Sequence, residues 1–569
     1  MKKILFLFVT FFVFDSIFAQ EALKSTEEEY YDFLSLQGLV ERPTLGYRTL
    51  SDSEWKFAID ENGNSLKDSE DNIWKENNLG TKRTLWESGT ESENWFLRGI
   101  DKSIKLKIYG PEWFNSYNTA APYGQNDGAL WQGKGYNTSL TAGARLEGYG
   151  FEVTVKPQLC WSQNREFDYI SPNYKGNDYI DKAGTYGYYG VTSIDAPQRF
   201  GESSFFTFDW GDTELRWTWN NFTTGFGTQL IWLGPAKLNP IIHSNNAASY
   251  PKFDIGLRKT KFTMPHFGWN LGYLEARGWW GKLTESKWFD NDDTNNDNLI
   301  TGLALYYQLP FLNDFTIGMN RTMLSKWNKK DSYTLFKIYN PLLSSGSSGG
   351  NDESDQRISF TIDYKIPKAN FEVYFEWARN DYSPTKAHYV RYPFHTQGWT
   401  FGSRKSVKLP WDFNCEILLE LTSLECSADY DRLIKWYSTF YSHHKITQGY
   451  TNKGQWIGAG IGTGGNSQYL GFTIYNKNYS VELFAQRRNP DLDYTMYIDS
   501  KNNIDTAEKN IRAMLDFGLT GTFYIWKNMP ISASLIIEKE YNPLNQIKIP
   551  NDSIIRYNSV FNFSIKYLF

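Results

Sequence analysis

The stretch that decides the fold is the last nine residues, FNFSIKYLF, from Phe561 to Phe569. Apolar and aromatic residues stand at every second position, and the positions between them are mostly polar. The first set is Phe561, Phe563, Ile565, Tyr567 and Phe569, and the second is Asn562, Ser564, Lys566 and Leu568. Because successive side chains of a strand point to opposite faces, this period of two fits a barrel wall between lipid and a wet lumen.

The chain ends on the aromatic face of this strand, with Phe569 as its terminal residue. A terminal Phe on such a strand resembles the C-terminal signature of outer-membrane barrels, which the barrel-assembly machinery reads during biogenesis. Phe569 is therefore predicted to target the chain to the cell outer membrane, where the barrel would contact lipid. An edge strand of a soluble sheet is the alternative interpretation of the same residues.

The same alternation recurs in the middle of the chain, in residues 358–366 and 371–377. The two stretches flank the predicted turn 367–370, and their second face carries Asp363, Lys365, Glu372 and Glu376. Charged residues on that face indicate contact with water, because a two-sheet sandwich would bury them at a cost of several kcal/mol each.

Connection lengths predict the orientation and the number of strands, because outer-membrane barrels have short periplasmic turns and long outer loops. Short and long connections alternate along the chain, which predicts 18 strands. The short ones are at 148–150, 211–212, 265–268, 308–313, 367–370, 409–412, 476–479 and 526–529. The predicted fold class is all-β, a transmembrane antiparallel β-barrel over residues 101–569 with long extracellular loops.

Composition agrees with this class. The 569 residues are 40% hydrophobic and 17% aromatic, and the mean hydropathy of −0.54 argues against a polytopic helical membrane protein. A net charge of −5 without a Lys/Arg cluster argues against a nucleic-acid partner. Three cysteines exclude a disulfide scaffold, and none has metal-site spacing, so no metal or other cofactor is predicted.

The N-terminus is predicted to be a secretory signal peptide, residues 1–19. Two lysines precede the apolar run Ile4–Phe14, which is too short to span a bilayer, and Ala19 precedes a plausible cleavage site. Residues 20–100 are predicted to form a small N-terminal periplasmic or plug region, with a short helix over 26–37 that Gly38 ends. An unstructured leader is the alternative.

Three motifs carry a resemblance to a known family. The first is Trp232-Leu-Gly234-Pro235, followed by IIHSNNA from Ile241 and then by Pro251. The second is YYDFLSLQGLVERP, residues 30–43, and the third is 441–465, which includes Gly449-Tyr450. This string resembles the signature of the Wzi family of capsule-assembly outer-membrane proteins.

The resemblance implies an 18-stranded outer-membrane barrel that acts as a surface lectin. Such a protein would hold secreted capsular polysaccharide on the cell without making it, and we expect a monomer and no enzyme. The first alternative is a porin-like diffusion channel, which the charged inner face would also suit. The second is an outer-membrane barrel hydrolase, although the motifs G-x-S-x-G and H-E-x-x-H are both absent.

The first motif has a structural and a functional interpretation. In the structural one, Gly234 and Pro235 fix a turn, and Ser244 and its neighbours cap backbone groups as the loop folds into the barrel mouth. In the functional one, Trp232, Asn245 and Asn246 face the glycan, since an Asn amide offers both a donor and an acceptor. Three more residues belong to the predicted structural motif: Pro251, Gly449 and Tyr450.

Aromatic rings in the outer loops are further candidates for contact with polysaccharide, because sugar rings stack their C–H faces on aromatic side chains. Trp113 and Trp131 fall in the first predicted outer loop, 110–138, and Tyr392 falls in another, 381–397. A girdle of rings at the level of the lipid headgroups would use the same residue types. The identity of the glycan and the state of the lumen stay open at this point.

Overall fold

The wall of the molecule is a closed antiparallel β-barrel. The computed structural model describes residues 25–75, 86–88, 103–170, 186–187, 193–264, 266–290, 296–312, 314–327, 354–380, 386–394, 396–427, 440–490, 492–501, 511–546 and 554–569. The predicted signal peptide lies outside these residues. In the part of the chain that is described, no helix is both long and apolar enough to cross a bilayer.

Eighteen strands form the barrel, two of them in two segments. They are β1 Ile104–Asn118, β2 Gly135–Gly148, β3 Phe151–Val155 with Gln158–Ser162, β4 Phe205–Asp209 with Glu214–Trp219, β5 Phe222–Gly227, β6 Lys252–Thr263, β7 Asn270–Thr284, β8 Asp297–Gln308, β9 Phe315–Lys326, β10 Ser354–Ile366, β11 Phe371–Asn380, β12 Gln397–Leu409, β13 Phe413–Ser423, β14 Asn466–Asn476, β15 Tyr479–Asn489, β16 Ala513–Trp526, β17 Met529–Tyr541 and β18 Ile555–Lys566.

The last strand closes the barrel on the first. β18 pairs with β1 from Val560 opposite Asn118 to Lys566 opposite Glu112. The predicted fold class and strand number are therefore confirmed. The outward side chains are apolar and exposed, as at Phe561, which is 49% exposed. A closed barrel satisfies its own backbone and offers lipid an apolar band, so this is an outer-membrane barrel.

One predicted turn is wrong. Gly211 and Asp212 do not join two strands but lie between the two segments of β4, where β4 has one residue more than β3. The turn lies instead at Asn220 and Asn221, whose φ angles are 50° and 67°. A Gly-Asp pair suits a β-bulge as well as a turn, so the local sequence does not distinguish the two.

Helices and short strands lie outside the wall. The helices are α1 Thr26–Leu36, α2 Lys386–Arg391 and α3 Leu492–Lys501, with 3-10 turns at Leu66–Asp68 and Pro367–Ala369. The short strands there are Val40–Glu41, Tyr47–Arg48, Lys56–Phe57, Trp232–Leu233, Thr451–Asn452 and Gln455–Trp456, whereas Trp86–Ser88 belongs to the barrel sheet and pairs with the start of β1. α1 confirms the predicted helix and begins where the Ser25 hydroxyl accepts the N–H of Glu28 at 3.2 Å.

The helix α1 packs against the inner wall, near the short turns. Tyr30 and Phe33 contact Tyr475 of β14, with ring centroids 6.1 and 4.4 Å apart. The Trp74 indole donates to the carbonyl oxygen of Asn476 at 2.5 Å. All four rings are buried, so the residues around α1 occupy the turn end of the lumen.

Ion pairs attach residues 25–75, which we call the N-terminal segment, to the wall. Asp32 of α1 binds Arg42, Lys237 and the β12 residue Arg404, each at 2.8 Å. The β11 residue Glu372 is fully buried and binds Arg42 at 2.7 Å and Arg404 at 2.9 Å. Of the predicted inner-face charges, Asp363 and Glu372 thus pair with Arg42 of the N-terminal segment. The prediction that this face contacts water is wrong at Glu372 and Glu376, which are both 0% exposed because other segments of the chain cover them.

Candidate functional site

Residues 228–251 join β5 to β6, leave the wall and enter the lumen. Two wall carboxylates bind the backbone of this connection. Glu420 of β13 accepts the N–H of Lys237 at 2.7 Å, and Glu376 of β11 accepts that of Ile241 at 2.9 Å. A carboxylate that accepts backbone N–H groups makes a charge-assisted hydrogen bond, so the connection is held firmly inside the barrel.

A second segment, residues 440–465, covers the first from the loop side. The Ser244 hydroxyl donates to the carbonyl oxygen of Gly458 at 2.6 Å. The Tyr450 hydroxyl donates to the carbonyl oxygen of Ile242 at 2.9 Å. The N-terminal segment and these two segments thus follow one another along the barrel axis and fill the lumen.

A cavity of about 220 Å³ lies at the loop end of the barrel. Its walls come from residues 121–132, 196–198 and 454–461 and from the loop ends of β15 to β18. We call it the mouth cavity. Within the described residues, it lies on the loop side of the segments that fill the lumen.

Aromatic and amide groups line one wall of the mouth cavity. The ring of Trp131 packs against Phe200, with centroids 4.6 Å apart, and the Asn246 amide donates to the carbonyl oxygen of Trp456 at 3.0 Å. Trp131 Nε1 and Gln132 Oε1 are fully buried behind this wall, so a ligand in the cavity would not reach them. The lining itself includes the Trp131 side chain and the amides of Asn246 and Gln455, which suit a ligand that carries hydroxyl groups.

Ionisable groups line the remaining wall. Burial raises the pKa of Asp127 to about 7, although a hydrogen bond from Gln132 opposes the shift. Across the cavity, Arg488 binds Asp516 at 2.9 Å and Glu538 at 2.8 Å. This guanidinium is thus already paired with carboxylates. Within the described residues, no cluster of three His, Cys, Asp or Glu side chains has a metal-binding arrangement.

Sequence and fold comparisons agree with this geometry. Residues 115–547 match the family described as capsule assembly protein Wzi. The chain belongs to the Wzi family. That match covers most of the barrel and confirms the resemblance carried by the three motifs, and it agrees with an outer-membrane location. No curated protein matches the chain significantly.

Several solved barrels are similar to the chain, and one of them shares its fold. One is Escherichia coli Wzi, described as an outer-membrane protein involved in group 1 capsule assembly and as a carbohydrate-binding β-barrel. Its TM-score is 0.56 at 12% identity, over 97% of this chain and 100% of that one. Acinetobacter baumannii OccAB2 gives 0.39 at 10% identity, over 82% and 98%. OprD of Pseudomonas aeruginosa gives 0.38 at 8% identity, over 83% and 94%.

The Wzi motif around Trp232 lies inside the barrel. Trp232 is 1% exposed, donates from Nε1 to the carbonyl oxygen of Ala236 at 2.9 Å, and has the Arg48 guanidinium over its ring. Gly234 has a φ of +80° ahead of Pro235, a conformation that glycine adopts without strain. Trp232 therefore contacts the N-terminal segment and lies away from the mouth cavity.

The Ser244–Asn246 part of the motif reaches the mouth cavity. The Ser244 hydroxyl accepts the N–H of Asn246 at 3.0 Å, which forms a local turn. Asn246 lines the cavity, whereas the buried Asn245 accepts the N–H of Gly128 at its carbonyl oxygen, at 2.8 Å. Pro251 returns the chain to the wall, where its carbonyl oxygen accepts the N–H of Lys282.

The remaining predicted residues are spread over the barrel. Gly449, with a φ of +66°, precedes the buried Tyr450 in the covering segment. Tyr392 lies half-buried next to α2, away from the mouth cavity. Phe569 follows β18, with its ring 4.8 Å from that of Tyr567.

The prediction that Trp113 lies in an outer loop is wrong. It lies within β1, is 48% exposed, and pairs across strands with Leu140 and with Ile565 of β18. The sequence in this region is rich in aromatic and turn residues, which led to a loop prediction that began too early. The long strand faces lipid here, so Trp113 lies on the membrane side of the wall.

Sequence reasoning identified Trp131 but missed Gln132, Asp127 and Arg488. Gln132 and Asp127 stand in the same loop as Trp131, so their closeness in sequence was an available signal. Arg488 belongs to β15, which is far away in sequence. Its contribution to the cavity depends on barrel closure, and no local pattern could reveal it.

Proposed function

We propose that this Wzi-family barrel is a surface lectin that attaches capsular polysaccharide to the outer membrane. It acts without catalysis, as a monomer held in outer-membrane lipid after insertion by the barrel-assembly machinery. Family membership and the carbohydrate binding reported for the Escherichia coli protein of the same fold support the proposal. Many weak contacts along a repeating polymer would add up as avidity.

The observation that carries the proposal is the mouth cavity. It combines the aromatic side chain of Trp131 with the amide side chains of Asn246 and Gln455 in its lining. A sugar offers a C–H face for the ring and hydroxyl groups for both amides. A hydrocarbon ligand would cover these amides without forming hydrogen bonds with them.

The filled lumen argues against the porin-like alternative. Residues 228–251 and 440–465 block the axis, and ion pairs of Asp32 and Glu372 hold the N-terminal segment below them. We expect the purified protein in planar bilayers to give no stable open channel. A steady conductance would favour diffusion of solutes, and a positive hydrolase screen on purified protein would favour an enzyme.

The direct test replaces Trp131 by Ala. We expect the variant to release polysaccharide into the medium while the total stays constant. We also expect its affinity for purified capsular polysaccharide to fall about five- to tenfold, the value of one aromatic contact. The matched control is Trp526→Ala, because Trp526 is 60% exposed on the outer face near a short turn. Equal retention by both variants and by the parent would contradict the proposal.

A further inference from the structure

The loop that follows β7 carries an exposed tryptophan, Trp288, which is 38% exposed. Among the described residues, six other tryptophans are exposed at least as much, and all six lie within barrel strands or at short turns. They are Trp113, Trp210, Trp219, Trp269, Trp411 and Trp526. Outer-membrane barrels present aromatic side chains to lipid at these places. Trp288 stands outside this pattern, because it lies beyond the loop end of a strand.

The backbone on both sides of Trp288 is anchored. The N–H and the hydroxyl of Ser286 each donate to a carboxylate oxygen of Asp195 at 2.6 Å. The Trp288 N–H donates to the Ser286 hydroxyl at 3.3 Å, and the next residue, Phe289, is 1% exposed. A ligand that contacts the Trp288 ring would therefore lose little affinity to ordering of the loop.

The six-membered ring of Trp288 rests on the backbone of Gly201. Gly201 has a φ of +78°, and a Cβ there would lie 2.6 Å from Cζ2 and 2.7 Å from Cη2 of the indole. Any other residue would strain the backbone and displace the ring. Gly201 follows Phe200, whose ring packs against Trp131 of the mouth cavity. The support under Trp288 is therefore continuous with the aromatic wall of the cavity.

A buried ring forms a second connection between Trp288 and the cavity. Tyr186 is 5% exposed, and its ring centroid lies 5.9 Å from that of Trp288 and 5.7 Å from that of Tyr169. Tyr169 is half-buried and lines the mouth cavity. A single buried ring thus lies between Trp288 and a residue of the cavity wall.

A polysaccharide is longer than the mouth cavity, so most of its sugars lie outside it. Sugar rings stack their C–H faces on aromatic side chains, and tryptophan offers the largest such surface. A rigidly held ring one contact away from the cavity wall can take a sugar of the same chain. Each added contact on one chain raises the affinity for the polymer without changing the affinity for a short piece of it.

We infer that Trp288 is a second contact for the polysaccharide, outside the mouth cavity. A chain whose sugars occupy the cavity continues past Tyr169 and places a later sugar on the Trp288 ring. This inference rests on the proposed function and names the form of ligand that the protein takes, an extended stretch of chain. A short fragment fills the cavity without reaching Trp288.

The test titrates the detergent-purified protein with fragments of capsular polysaccharide graded by length, obtained by partial hydrolysis. The variants are Trp288→Ala and Trp288→Phe. The matched control is Trp269→Ala, because Trp269 is 64% exposed and lies at the short turn between β6 and β7. No bilayer is present, so a role of Trp288 at lipid headgroups would leave every affinity unchanged.

We expect Trp288→Ala to bind the shortest fragments like the parent and to lose about five- to tenfold in affinity for the longest. Trp288→Phe should recover part of this loss, and Trp269→Ala should match the parent at every length. Equal affinity of Trp288→Ala and the parent for the longest fragments would overturn the inference. The same loss at every length would overturn it too, since it would indicate a disturbed mouth cavity. If the parent binds no fragment of any length, the proposed function itself fails.

Discussion

The substitution Asp32→Asn tests whether buried ion pairs hold the N-terminal segment in the lumen. Asp32 lies in α1, is 6% exposed, and contacts Arg42, Lys237 and Arg404 at 2.8 Å each. Burial opposes its ionisation, but Arg404, Arg42 and Lys237 together hold its pKa well below the usual value. Asn has nearly the same volume as Asp but no charge. The three cations would therefore lose one carboxylate and retain their contacts with Glu372.

Removing one partner of a buried ion pair costs about 3–5 kcal/mol, because the remaining charge stays buried without compensation. Detachment of α1 should become easier by about that amount. At 1.4 kcal/mol for each factor of ten, the population of the detached state rises about a hundred- to a few-thousandfold. The wall strands should keep their pairing, since their hydrogen bonds do not involve Asp32.

The assay is the labelling rate of one cysteine by a maleimide. Ser35→Cys places it on α1, where the native residue is 0% exposed, in a chain without the three natural cysteines. Heat-modified mobility on gels checks that each variant forms the barrel. The matched control is Asp71→Asn, which removes the same charge from the same segment. Asp71 pairs with Lys408 at the surface, with side chains 44% and 64% exposed, so its loss should change the rate less than about fivefold. If Asp32→Asn labels no faster than Asp71→Asn, the ion pairs do not hold the segment.

Three further predictions concern the loop end. Gly458→Ala should loosen the covering segment by about 1–3 kcal/mol, because its Cβ would lie 2.1 Å from the carbonyl oxygen of Ile241, and proteolysis between 440 and 465 should speed up. The control is Gly148→Ala, which lies outside the left-handed region and whose Cβ would meet no atom nearer than 3.3 Å among the described residues. Glu420→Gln should cost about 1–3 kcal/mol in urea unfolding, since an amide cannot accept every N–H that the carboxylate accepts. Burial raises the pKa of Asp195 to about 7, so the folded protein keeps a proton that the unfolded chain releases near pH 4. The free energy of unfolding should therefore fall as the pH rises from 4 to 7, by at most about 4 kcal/mol. Asp195→Asn should remove this slope from the pH dependence of Tm.

Alternation of side chains could be read directly from the sequence. In β10, β11 and β18 the outward residues are aromatic or aliphatic. Contact with lipid requires an apolar side chain at every second position of a strand, and this requirement does not depend on which strands lie beside it. The strand number followed from the alternation of short and long connections. The bulge in β4 was mistaken for a turn because both use Gly-Asp, and only pairing with β3 distinguishes them.

The residues of the most specific sequence motif are mostly not the residues that line the mouth cavity. Trp232 stands in the most specific motif, but it is buried against Arg48. The motif around Trp232 therefore reflects the packing of residues 228–251 inside the lumen. Gln132 belongs to no motif, yet it lines the mouth cavity.

The sequence by itself determined the class of the protein, because its period of two and its Wzi motifs predict an outer-membrane barrel. These features are local, because each strand faces lipid on one side independently of the rest. Only the tertiary structure decided that the lumen is filled, that Trp232 is buried, and that Trp131 and Arg488 share one cavity. Those results depend on contacts between residues hundreds of positions apart, which exist only after β18 closes on β1 and the connections fold into the space inside.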